Sequence, residues 1–115
     1  KIDILLDLFK VNAELIENIK EIGPFGQENE EPRVALQNLK VAFKKEVGKS
    51  QEHIFCILKD YFGKTINAIA FNQSSTKLGK ILFSEKVFNV AGKLRLYKKE
   101  NQLIPQFIIE DILIL

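Results

Sequence analysis

Cysteine occurs once in this chain of 115 residues, at Cys56, and histidine once, at His53; methionine and tryptophan are missing altogether. One thiol cannot build an intramolecular disulfide framework. One thiol and one imidazole cannot supply a Cys-rich zinc site, a histidine metal cluster or a histidine proton relay. No apolar run approaches the ~18 residues of a membrane-spanning helix, so the sequence offers no such span and no membrane partner. The first residue is Lys1 rather than Met, which reads as a piece of a longer protein with any catalytic parts expected upstream. What is present is ordinary for one soluble domain: 46% apolar and 28% charged residues. A chain of this length can bury a core without metal or disulfide support.

The net charge is only +2, but it is unevenly spread. Residues 1–32 carry three lysines against eight acids, a net of −5. Residues 33–99 carry twelve Lys and two Arg against Glu46, Glu52, Asp60 and Glu85, a net of +10, and residues 100–115 carry −3. A basic body between acidic ends is suited to a polyanion. A solvated lysine-rich surface would give the same pattern.

Apolar residues at helical spacing (Ala13, Ile16, Ile19, Ile22) predict a helix over 13–22 after an extended start, with Asn12 as its N-cap. Gly23-Pro24 ends it. The acidic stretch Pro24–Pro32 reads as an irregular loop, in which Phe25 plugs the helix against the β-structure after it and Gly26 permits a turn. From Val34 the period changes to two. Val34, Leu36, Leu39, Val41 and Phe43 alternate with polar residues, with a slip at Gln37-Asn38 that predicts a bulge and a bent strand. Further strands are predicted over 53–58, 65–71, 87–97 and 104–112, with Gly92 marking a bend or a close backbone approach. Lys77–Phe83 reads as a short helical turn or loop between the third and fourth strands. The fold class is therefore mainly β after an N-terminal helix. The order fits a five-stranded Greek-key OB-fold barrel, and an open five-stranded sheet with one uncovered face fits the same periodicity.

Four blocks carry a family resemblance: Pro24-Phe25-Gly26-x-x-Asn29-x-x-Pro32; Val47-Gly48-Lys49 with His53 after it; Asn67-Ala68-Ile69-Ala70-Phe71-Asn72; and Ile109-Glu110-Asp111-Ile112. In that order and spacing the sequence resembles the C-terminal part of the RecJ family, single-strand-specific 5′→3′ DNA exonucleases of the DHH phosphoesterase superfamily. The resemblance implies that residues 1–22 are the tail of a preceding DHHA1-type domain with its connecting helix. Residues 23–32 would be a linker loop, and residues 33–115 an OB domain that helps hold single-stranded DNA. It also implies hydrolysis with Mn²⁺ or Mg²⁺ by Asp and His clusters of a domain outside this chain, and a cytoplasmic setting in DNA repair and recombination. Two positions depart from the family pattern. Glu28 precedes Asn29, and Phe55 stands where the family has a basic residue, which replaces a phosphate contact by a stacking one.

Catalysis by this chain is not expected, because a nuclease needs acids or histidines converging on metal. Glu110 and Asp111 are neighbours on a predicted strand, so their side chains should point to opposite faces. Cys56 lies in an apolar strand and reads as core, and His53 as structural. Single-strand binding needs cations for phosphates and aromatic faces for bases. The candidates are Lys40, Lys44, Lys45 and Lys49 along and after the first strand, and Arg95, Lys98 and Lys99 along the fourth. Arg33 and Lys59 are weaker candidates. Tyr97, Tyr61 and Phe55 are the expected stacking residues, most other Phe being assigned to the core. The expected partners are single-stranded DNA and the remaining domains of the parent exonuclease. The rival reading is a protein-interaction or interdomain module without DNA contact.

Overall fold

The computed structural model describes residues 2–22, 31–84 and 86–114. The chain runs through β1 (Ile4–Leu6), a single 3₁₀ turn at Leu8–Lys10, α1 (Ala13–Ile22), β2 (Val34–Val47), β3 (His53–Lys59) and β4 (Thr65–Ala70). It continues through α2 (Lys77–Leu82), β5 (Phe88–Lys99) and β6 (Gln102–Ile114). The roles expected for Phe25, Gly26 and most of the 23–32 linker lie outside the described residues. α1 starts where expected, the Leu15 N–H donating to Asn12 Oδ1 at 2.8 Å. That bond satisfies one of the helix's orphan donors.

The strands form one mixed sheet of six, one more than the periodicity predicts. The added strand is β1, read from sequence as a loose start; it pairs parallel to β2, Ile4 opposite Val34. Around the other five, β2 pairs with β3, β3 with β4, β4 with β6 in parallel, β6 with β5, and β5 back with β2. These pairings return to their starting strand. β2 makes the return possible by changing partner along its length. Val34–Leu36 lies beside β5, and Lys40–Val47 beside β3. Between them the β5 register shifts from Leu36 to Leu39, and Asn38 adopts φ 58°. This is the bulge expected at Gln37-Asn38. Asn is among the few residues that accept the left-handed region cheaply, and the Asn38 N–H is held by Asn89 Oδ1 at 2.9 Å.

Burial follows the pleat. Ile54, Cys56 and Leu58 of β3, Ile66, Ala68 and Ala70 of β4, and Phe88, Val90 and Leu94 of β5 turn inward, with Phe107, Ile109 and Ile112 of β6. Leu8, Val11 and Ile16, ahead of β2, belong to the same core. Of the two features expected at Gly92, a bend or a close backbone approach, the close approach is the one observed. The β5–β6 register shifts there, and a Cβ at Gly92 would lie 1.8 Å from the Ile108 carbonyl oxygen. Only glycine lets the two backbones approach so closely. The β5–β6 turn is tight: Glu100 and Asn101 have φ 50° and 67°, the signature of a two-residue type I′ hairpin.

Two outcomes test this packing. Gly92→Ala should lose about 1–3 kcal/mol of unfolding free energy in denaturant titration, because Ile108 backbone cannot yield as a side chain could. The Cys56 thiol, pushed up to about 12 by burial, should resist alkylation at mildly alkaline pH until denaturant is added. Its folded pKa exceeds the ~8.5 of an unfolded thiol, so its stabilising share is complete below that pH and is lost as pH rises toward 12. Stability should therefore fall less steeply over that window in Cys56→Val than in the parent chain.

Candidate nucleic-acid interface

With Ile54, Cys56 and Leu58 inward, His53, Phe55, Ile57 and Lys59 face outward from β3. Register then assembles rows across the outer surface. Phe55 stands opposite Lys45 on β2 and Ile69 on β4, and Ile69 opposite Ile108 on β6, which faces Lys93. The next row is Phe43, Ile57, Asn67, Gln106 and Arg95, and the third begins Lys40, Lys59, Thr65. The centre is aromatic and aliphatic, and cations flank it.

Phe43 is 47% exposed and meets Phe55 edge to face with ring centroids 6.4 Å apart. Phe71, just past β4, is 49% exposed and packs its ring against His53 at 5.3 Å. Both are exposed to solvent, against the assignment of most phenylalanines to the core. For Phe71 the available signal was phase, in step with Asn67 and Ile69, whereas Phe43 is in sequence phase with the inward-turned Val41 and reaches the outer face because the β2–β3 register shifts between them. Tyr97 reaches the same surface, its hydroxyl accepting from Asn67 Nδ2 at 2.8 Å.

The expected cations do not gather as one group. Lys45 lies beside Phe55, but Lys44 occupies the opposite face of β2, its Nζ 5.5 Å over the Phe83 ring. Lys98 and Lys99 are likewise split by the pleat, Lys99 sharing the face of Arg95 and Tyr97. Lys49 is exposed in the β2–β3 turn. Arg95 is already occupied: its Nη2 and Nε lie 2.8 and 3.3 Å from the two carboxylate oxygens of Glu31. Phosphate at Arg95 must displace that carboxylate. Lys40 and Tyr61 sit at the end of β3 opposite the β2–β3 turn, with Tyr61 in the β3–β4 turn.

Groups able to do chemistry have structural duties. His53 Nδ1 accepts the Asn72 N–H at 2.9 Å, pinning the turn that leads to α2. The Glu52 carboxyl is held below its ordinary range by its own backbone N–H and that of Ser50, with added attraction from His53. Glu110 and Asp111 do not alternate as expected. The register shift leaves Glu110 as an extra residue, and both side chains are exposed. Glu110 Oε1 is 3.3 Å from Arg33 Nε, an ion pair without hydrogen-bond alignment, and Oε2 is 4.0 Å from Lys93. Among the described residues, no three His, Cys, Asp or Glu side chains converge as metal ligands.

A family model described as the RecJ OB domain matches residues 2–111. The single-stranded-DNA-specific exonuclease RecJ of Bacillus subtilis (strain 168) is 20% identical over 111 residues, covering 96% of this chain and 14% of that protein. The crystal structure of apo TiaS, a tRNAIle2 agmatidine synthetase, aligns with TM-score 0.45 and 14% identity over 94% of this chain and 20% of that one. The chain thus spans about one seventh of its RecJ relative. With all but a few residues matched, the chain belongs to the RecJ OB domain family.

Proposed function

We propose that this domain is an OB barrel that holds single-stranded DNA for a RecJ-like 5′→3′ exonuclease, whose metal-dependent hydrolysis is performed by another part of a longer protein. The carrying observation is the outer face of β2, β3 and β4. There Phe43 and Phe71 stand half-open to solvent and Phe55 is partly exposed, beside Ile57 and Ile69, with Lys45 at the border. Leaving such side chains in water has no folding advantage. As a platform, each can take the face of a base, and stacking tolerates any sequence. In OB folds the strand 2–3 face and its flanking loops take oligonucleotides. Here those strands are β3 and β4; the β2–β3 loop carries Lys49, and Lys99 ends β5 at the edge of the β5–β6 turn. Phosphate neutralisation by these lysines releases counterions and supplies the sequence-independent part of the affinity.

In this reading residues 1–22 lead in from a preceding DHHA1-type domain, and their apolar side chains complete the barrel's core. Mn²⁺ or Mg²⁺ acts in the catalytic domain, in the cytoplasm, in repair and recombination. A second reading, an interdomain brace, is favoured by one separate feature. A cavity of about 420 Å³ beside β1 is walled mainly by Ile2, Leu5, Leu113, Ala35 and Ala91, with Arg33, Asn89 and Asp111 also lining it and Leu5 and Leu113 well exposed. A wall of that kind suits apposition to protein.

Titration of labelled oligo-dT by fluorescence anisotropy should show binding whose log K falls with log salt at about −0.7 per phosphate neutralised. Phe55→Ala should weaken it by about 1–3 kcal/mol with no loss of fold. Lys45→Glu should weaken it further than Lys44→Glu; equal effects would mean that the β3 face is not the site. Absence of binding at low salt would favour the brace. Glu31→Gln should tighten binding by less than about tenfold, the scale of an exposed ion pair, by releasing Arg95. Unchanged affinity would show that Arg95 lies off the DNA path.

A further inference from the structure

Beside the strand face is a second concavity, with a volume of about 330 Å³, between the end of β3 and the segment entering β5. Asn38, Lys40, Lys59, Asp60, Tyr61 and Val87 line it. Lys40 and Lys59 are direct cross-strand partners. Like charges placed opposite each other on a sheet are mutually destabilising. Among the described residues neither has a carboxylate within ion-pair distance. The neighbouring Asp60 does not serve them. Its Oδ1 accepts the N–H groups of Phe62 and Lys64 at 2.9 and 2.8 Å, and its Oδ2 is buried without a hydrogen-bond partner.

What Asp60 does is build the turn. Its N–H donates to the Lys64 carbonyl at 2.9 Å, its own carbonyl accepts from Gly63 at 3.2 Å, and Gly63 takes φ 87°. The Phe62 ring is braced against Phe9 at 5.4 Å. On this stiff support Tyr61 is held out 91% exposed. A buried carboxylate with one unpartnered oxygen and a glycine committed to the left-handed region are costly ways to present one aromatic ring to water. Their effect is to set that ring beside two cations that have no ion-pair contact among the described residues, which lowers the ordering cost of binding.

We propose that this pocket is a single-nucleotide subsite at the end of the strand face, in which Lys40 and Lys59 take a phosphate monoester or diester and Tyr61 stacks on its base. The volume lies at the low end of small-ligand pockets and suits one nucleotide. Phosphate alone would satisfy the lysines, so the ring distinguishes a nucleotide from inorganic phosphate. The inference deepens the single-strand reading and rests on its ligand class. In that reading, a strand crossing β3 along Phe55, Ile57 and Lys59 would place one terminal or flanking nucleotide here.

Backbone-amide NMR of the ¹⁵N-labelled chain tests it with thymidine monophosphate, inorganic phosphate and oligo-dT. The mononucleotide should shift Asn38, Lys59, Tyr61 and Val87. Inorganic phosphate should shift Lys40 and Lys59 only. Lys40→Gln with Lys59→Gln should weaken mononucleotide binding about tenfold. Tyr61→Ala should reduce it to the affinity of inorganic phosphate. All three positions are exposed, so Tyr61→Ala should leave thermal unfolding unchanged, and the double lysine variant should unfold no lower than the parent chain because the cross-strand repulsion is removed. Mononucleotide shifts confined to the Phe55–Ile69 face, or none, would overturn the subsite. If oligo-dT still perturbs that face, the strand reading survives without it. Mononucleotide shifts at the pocket with no oligo-dT response at Phe55 and Ile69 would remove the strand reading and leave the subsite standing. A pocket silent to every phosphate ester would return the exposed turn to a protein partner and overturn the proposal.

Discussion

Closing a ring of strands requires β2 to serve two neighbours that lie in different directions. A flat strand of 14 residues cannot do so. The change is made at Asn38, whose left-handed backbone lets the first part of β2 follow β5 and the second follow β3. The Asn89 side chain on β5 holds the Asn38 N–H and so ties the bend to the strand it leaves. Gly92 performs the matching adjustment across the sheet, where β5 and β6 come into close contact opposite a bulge in β6. Without these two irregularities the alternating residues would still form strands, but not a sheet whose ends meet.

The outer surface is a consequence of that closure. Once the inner positions of β3 and β4 are filled by Ile54, Cys56, Leu58, Ile66, Ala68 and Ala70, the intervening residues have nowhere to go but out. Phe43, Phe55, Ile57 and Ile69 are therefore neighbours by register alone, although up to 26 positions separate them in the chain. The cations obey the same geometry. Adjacent lysines on a strand are placed on opposite faces, so a dense basic run in the sequence becomes a thin border on either side of the sheet. One border is further neutralised by Glu31, from the acidic stretch before β2.

Most of the architecture was legible from period two. The strands of residues 53–59 and 65–70, the slip at Gln37-Asn38, the strain relieved by Gly92 and the Asn12 cap all leave local marks. β1 leaves none, because Ile4, Leu5 and Leu6 do not alternate and are fixed only by pairing with residues 30 positions away. The Arg95–Glu31 pair is hidden for the same reason, its partners being 64 residues apart. Phe43 and Phe71 were misread on composition, since phenylalanine is usually core in a small β domain. Glu110 and Asp111 were misread on regularity, because a bulge suspends the alternation that separates their side chains. Membership of the RecJ OB domain family was within reach of four short blocks, one of which falls largely outside the described residues.

The bond between Asn67 and the Tyr97 hydroxyl spans from β4 to β5 over the intervening β6. It fixes a phenol at both ends, through its backbone and through its oxygen, and so removes most of the ring's rotational freedom while the protein is empty. A flat partner arriving there meets an immobile surface, and little torsional entropy remains to be surrendered on contact.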